Sequence, residues 1–220
     1  MYEMARETLS KDRVLQGALT VADDGGLAKL TIRSLAMRLG VKPMSVYHYV
    51  ATKDEILDGL VDLVFAEIEL PSPSGDWRTE ISKRAHSARE VLGRHPWSIS
   101  LLESRTSPGP ATLRHHDANI ATLRAGGFTV AQTAHAYAVL DAFVYGFAVQ
   151  ESSLPFEGPD GAAEVAEPMM ALMGSGEYPH LVELAVEHVL LPGYDFADEF
   201  DFGLELVLDG LARLLDDSDG

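Results

Sequence analysis

Leu30 to Val50 reads LTIRSLAMRLGVKPMSVYHYV. It holds Arg33, Arg38 and Lys42 and no acid, although the 220-residue chain has 34 acids, 17 basic side chains and a formal charge of −17. Thr31 is placed to cap a short helix with Leu35, Ala36 and Leu39 inward, and Gly40 ends it. Pro43 suits the first turn of a second helix, expected to run to about Val50. Helix, glycine turn and helix over 31–50 form a helix-turn-helix pattern. In such a motif the second helix enters the DNA major groove and its first residues meet base edges. Val46 and Val50, four apart, then point to the core, while Ser45, His48 and Tyr49 share the outward face. Lys42, Pro43, Met44, Ser45, Tyr47, His48 and Tyr49 lie on or near the groove-facing helix. Small Ser45 permits close approach, Met44 suits a thymine methyl, and His48 suits a base or a phosphate. The two tyrosines suit phosphates, as do Arg33 and Lys53 on the flanks. Thr31, opening the motif, completes the candidate DNA-binding set. A tight αα turn in a bundle has the same spacing. Aromatic residues beside a histidine, with no acid nearby, distinguish this segment from an ordinary Lys/Glu-rich surface.

Working outward, residues 1–60 carry 8 basic and 8 acidic side chains, and residues 61–220 carry 9 and 26. Gly25 to Lys53 has five basic residues (Lys29, Arg33, Arg38, Lys42, Lys53) and no acid. A polyanion meets repulsion over most of this chain and none here. A solvated basic face is the plainer alternative.

Helical signals continue on both sides. Before the motif, Val14, Leu15, Ala18, Leu19 and Ala22 fall at helical spacing after Ser10, and Gly25-Gly26 stops the run. After it, Lys53-Asp54-Glu55 opens a helix with acids in its first turn. The pattern predicts further helices over about 77–93, 97–104, 110–125, 129–151, 161–191 and 196–216. No segment alternates with period two, so the class is all-α: a helix-turn-helix three-helix domain over 1–53, and a larger helical domain over 54–220. Residues 129–151 are apolar on nearly every face (Val130, Ala134, Tyr137, Ala138, Leu140, Phe143, Val144, Phe147), which predicts burial on all sides. Residues 196–216 carry a continuous stripe from Phe196 to Leu215. The pair forms either a monomer core or half of a four-helix dimer interface.

Composition narrows the classes. Hydrophobic residues make 46% of the chain and charged ones 23%, ordinary globular values. With no cysteine, disulfides and thiolate metal sites are excluded. The N-terminus reads as no signal peptide, and the apolar run around 134–149 is broken by Asp141 and Gly146. A cytoplasmic protein is expected.

LTIRSLAMRLGVKPMSVYHYVATKDEILDGLVD resembles the DNA-binding domain of the tetracycline-repressor (TetR) family of bacterial transcription regulators. The shared pattern is Thr31, Arg33, Leu35-Ala36, Leu39-Gly40-Val41, Ser45, Val46, Tyr47, His48-Tyr49, Lys53 and Glu55-Leu57. RHPW at 94–97, LRAGGF at 123–128, DAFVYGFAVQE at 141–151 and FDFGLELVLDGLARLL at 200–215 are similar to the regulatory domain of the tetracycline-repressor branch. The resemblance implies a homodimeric repressor on a palindromic operator, released by a small-molecule effector. It implies a dimer interface through the helices near 129–151 and 196–216. An activator of the same fold is the alternative.

The effector-site candidates between 54 and 151 are Phe65, His86, Trp97, Leu101, His116, Asn119, Tyr137 and Asp141. Each aromatic among them also reads as plain core, and the histidines as surface or satisfied core residues. The branch's His, Thr and Glu drug-and-magnesium set finds no placement here, so tetracycline is not implied, and no metal or cofactor enters the expected site. The rival class is an all-α metal-dependent enzyme. A di-iron bundle needs Glu-x-x-His on two helices. The one such spacing, Glu177 to His180, contains Pro179. No HExxH, GxSxG, P-loop or GxGxxG occurs. The expectation is a regulator and not an enzyme.

Overall fold

The structure, a computed structural model, describes residues 8–102, 104–155, 165, 170 and 176–216, and among these it contains no strand. It divides into two compact units, Met1–Gly127 and Phe128–Gly220. The first unit holds α1 (Lys11–Gly25), α2 (Ile32–Leu39), α3 (Pro43–Val46), α4 (Lys53–Glu67), α5 (Trp77–Arg94), a 3-10 turn (Pro96–Ser98), α6 (Ile99–Leu102) and α7 (Pro110–Ala125). The second holds α8 (Val130–Ser153), α9 (Pro179–Leu184) with a following π turn (Ala185–Val189), and α10 (Asp198–Asp216). The division of role expected near Lys53 lies inside the first unit.

Local chemistry explains each end of the motif. The Ser10 side chain accepts from the Arg13 N–H at 3.2 Å, and the five apolar residues of α1 read from the sequence are its buried face. Thr31 and Ser34 form a reciprocal capping box at the start of α2, with both bonds at 3.0 Å. Gly40 closes α2 at φ +66°, a left-handed conformation that costs a side-chain-bearing residue strain. α3 begins on Pro43 and buries Val46.

α4 is the axis of the first unit. It meets α1 closely at Gly59, where a Cβ would lie 2.6 Å from Leu15 Cδ2. Three acids one turn apart use its other side. Asp58 and Asp54 accept from Arg105 at 2.6 and 3.1 Å. Asp62 accepts from the Thr112 N–H at 2.8 Å and its hydroxyl at 3.0 Å. Asp62 thereby supplies the cap that Gly109, preceding α7, lacks. In the second unit, Phe143 and Phe147 of α8 pack on Phe200 of α10 at ring distances of 5.3 and 5.1 Å. Phe143 lies over Gly203, where a Cβ would be 2.6 Å from its ring.

Four expectations change. The regular part of the second motif helix ends at Val46 and not near Val50. Tyr47–Tyr49 follow as a turn, with the Tyr49 and Val50 N–H groups both bonded to the Val46 carbonyl at 3.0 and 3.2 Å. Consecutive aromatic, His and β-branched residues are poor helix formers, which accounts for the early stop. The helix read over 97–104 is a 3-10 turn plus one α turn. Of the helix read over 161–191, residues 161–164, 166–169 and 171–175 lie outside the described residues. The described remainder starts afresh at Pro179, the first-turn position that proline favours. Finally, α8 is not buried on all sides within this chain. Leu140, Val144 and Phe147 are buried, while Ala134 and Ala138 are exposed and Val130 is 72% exposed.

Candidate functional site

The motif builds an outward surface from α2, its glycine turn and α3. Arg33, Lys42, Pro43, Met44, Tyr47, His48 and Lys53 are exposed there, and Met44 is 70% exposed. Ser45 and Tyr49 are half-buried. Arg33, Lys42 and Lys53 make no ion pair among the described residues, whereas Arg38 meets Asp24 at 3.3 Å. That pair is half exposed on both sides and too weak to hold Arg38 against a phosphate. Thr31 differs from the rest of the predicted set, because its hydroxyl accepts from the Ser34 N–H and caps α2. These residues present hydroxyls, one imidazole, apolar tips and cations, and none of them is acidic. It is suited to phosphates at its rim and to base edges or methyl groups at its centre.

A second region lies in the interior of the first unit. Phe65 of α4 packs on the rings of His115 and His116 at 5.0 and 5.3 Å. Arg84 of α5 is 2% exposed. Its Nε and one terminal nitrogen reach His115 Nε2 at 3.2 and 2.9 Å. An arginine only donates, so His115 Nε2 accepts and its proton resides on Nδ1. Burial, with the charges of Arg84 and His116 adding to it, pushes the His115 pKa down to about 3. The Asn119 amide donates to the His115 carbonyl at 2.7 Å. His115, Asn119 and Thr122 fall on one buried face of α7. His115 Nδ1 and Thr122 Oγ1 are buried without a hydrogen-bond partner. A buried donor left in this way costs about 1–3 kcal/mol, so this face is suited to a small molecule that offers acceptors.

The structure brings together Phe65, His116 and Asn119 of the predicted effector set. His86 is half-buried and bonds the Ser82 carbonyl of its own helix at 2.8 Å. Trp97 instead donates its indole N–H to Asp23 of α1 at 2.7 Å. Leu101 is half-buried, and Tyr137 and Asp141 lie on α8 in the second unit, Asp141 buried. Arg84 and His115 are the residues that the sequence reading misses. The available signal was position: Arg84 stands at the inward spacing of Ile81, Ala88 and Val91, where an arginine is out of place. Among the described residues, no group of three or more His, Asp or Glu side chains is placed to hold a metal.

Comparison with known proteins gives three kinds of match. The family described as Tetracyclin repressor-like, C-terminal domain, matches residues 70–215. The HTH-type transcriptional repressor DrrR1 of Streptomyces coeruleorubidus is 33% identical over 96% of this chain and 80% of its own length. The tetracycline repressor protein class A from transposon 1721 of Escherichia coli is 26% identical over 93% of this chain and 91% of its own. Among solved structures, the Streptomyces coelicolor protein ActR in complex with actinorhodin superposes with a TM-score of 0.77 at 28% identity. It covers 94% of this chain and 99% of its own.

Proposed function

The chain belongs to the tetracycline-repressor family and is a helix-turn-helix transcriptional regulator, and from that premise we propose that it is a homodimeric repressor released from a palindromic operator by a small-molecule effector. One observation carries the DNA contact: exposed Arg33, Lys42, Pro43, Met44, Tyr47, His48 and Lys53, with half-buried Ser45 and Tyr49 beside them, form a set without an acid on an otherwise acidic chain. Pro43, Met44, Ser45 and His48 read the major groove, and Arg33, Tyr47, Tyr49 and Lys53 hold the phosphates. Thr31 caps α2, the helix on which α3 packs.

Apolar surface on the second unit supports dimerisation. Phe202 and Leu206 of α10 are 67% and 59% exposed, and Val130, Ala134, Ala138 and Val139 of α8 are exposed as well. Large exposed apolar side chains on both helices are what a buried partner face would cover. In a dimer, two α3 helices about 34 Å apart enter successive major grooves. The effector binds where Phe65, Arg84, His115, His116, Asn119 and Thr122 meet, and satisfies the His115 Nδ1–H with an acceptor oxygen. It shifts the balance between α3 spacings only as far as it binds them differently. Operator DNA places the site of action in the cytoplasm. Among the described residues no helix is long and apolar enough to cross a membrane.

The division of labour across the motif surface provides the test. Tyr47→Ala or Lys53→Ala weakens binding to every duplex by a similar factor. Ser45 or His48 replacements cost about 1–3 kcal/mol at particular base pairs and relax preference there. Fluorescence anisotropy on a panel of single-base operator variants reads both. Equal losses on every variant from all four replacements contradict the assignment.

A further inference from the structure

The buried face of α7 carries two polar atoms without a hydrogen-bond partner among the described residues, His115 Nδ1 and Thr122 Oγ1. Their residues are 0% and 1% exposed. Buried polar groups are almost always paired, so each of these atoms marks a place where a partner belongs. Thr122 departs from Thr20 and Thr133. Those two turn their hydroxyls to carbonyls one turn back, of Gln16 and Thr129, at 3.0 and 2.8 Å. The Thr122 hydroxyl makes no such bond. The two atoms make different demands. His115 Nε2 accepts from Arg84 at 3.2 and 2.9 Å, so Nδ1 carries the proton and can only donate. A hydroxyl donates and accepts, so Thr122 takes either kind of partner. Seven residues apart on one helical face, the two groups stand two turns, about 10 Å, apart along α7. Asn119, between them, spends an amide N–H on the His115 carbonyl at 2.7 Å. The His115 end is lined by rings, with Phe65 at 5.0 Å from His115 and 5.3 Å from His116.

One water reaches either group but not both, whereas a rigid molecule spans the pair. Ring-lined surfaces favour a flat aromatic partner. We infer that the effector is a flat aromatic of about three fused rings, with an acceptor oxygen at the His115 end and a hydroxyl or carbonyl oxygen at the Thr122 end. The inference rests on the effector-site reading above and names a ligand class for that site. A ligand N–H facing the His115 N–H leaves two donors unpaired in a dry interior, so exchanging oxygen for nitrogen at that end is strongly disfavoured. Thr122 is a specificity-determining residue, because its hydroxyl reads the far end of the molecule and so its length.

Titration calorimetry on the full chain with three probes tests this. The first, 2,6-dihydroxyanthraquinone, has three fused rings with an oxygen at each end. The second, 2,6-diaminoanthraquinone, has the same frame with donor nitrogens there. The third, 2,6-dihydroxynaphthalene, is one ring shorter. The three-ring phenol is expected to bind about tenfold or more tighter than the diamine. Thr122→Val keeps the shape of the side chain and removes its hydroxyl. It is expected to weaken the three-ring phenol about tenfold and to leave the two-ring phenol unchanged, while Thr122→Ser binds both as wild type does. Without ligand, Thr122→Val is expected to melt at or above the wild-type Tm, because it deletes a buried hydroxyl that bonds nothing. Four results overturn the inference alone: no binding of the three-ring phenol, equal affinity for the diamine, a lowered Tm in Thr122→Val, or binding that Phe65→Leu weakens and Thr122→Val does not. Binding that neither Thr122→Val nor Phe65→Leu changes lies elsewhere on the protein and overturns the effector-site reading as well.

Discussion

His115 shows how a single residue can be decided by its surroundings. Arg84 occupies Nε2, burial keeps the ring neutral, and its pKa falls to about 3. An unfolded histidine takes its proton near 6.5. Between these values the unfolded chain binds one proton that the folded chain refuses at this site. The site's contribution to stability is therefore complete above about 6.5 and declines as pH falls toward 3. Measured by urea unfolding, the stability advantage of wild type over His115→Gln is expected to shrink steadily between pH 6.5 and 5, above most carboxylate titration. A constant difference across that interval contradicts a neutral, buried His115. Sequence periodicity counts apolar residues and so passes over this ring and its arginine. By contrast Gly40, Thr31 and Pro43 were legible, because each acts through its own backbone or its nearest neighbours. The role of Trp97 was not legible, since Asp23 lies 74 positions away along the chain.

At the scale of elements, amphipathic helices were read well where one face meets one neighbour within the same chain. The five buried residues of α1 follow directly from spacing. α3 was read too long, because a hydrophobic pattern alone does not register the poor helix propensity of Val46 to Val50. α8 and α10 expose a different limit. Hydrophobicity announces burial but not what does the burying, and α8 has one face covered within the chain and another left open. Replacing Phe202 and Leu206 together by Glu puts two charges on the open face of α10. The double variant is expected to sediment as a monomer with unchanged helical circular dichroism, whereas the wild type sediments as a dimer. A monomeric wild type, or a dimeric variant, contradicts the interface.

Across the whole molecule, charge is partitioned. The first 60 residues balance 8 acids against 8 basic side chains, and the remaining residues carry the entire formal charge of −17. A strong negative field on the body penalises non-specific approach to DNA and leaves the contact to the motif surface. The resulting affinity is expected to fall steeply with salt, because each neutralised phosphate releases counterion. Selection of bound duplexes from a genomic DNA pool, at low and at physiological salt, tests this account most directly. The predicted result is enrichment of one palindromic site with half-sites about one helical turn apart, retained at physiological salt while the background falls away. Recovery of unrelated sequences at both salts, or of no DNA at all, would contradict it.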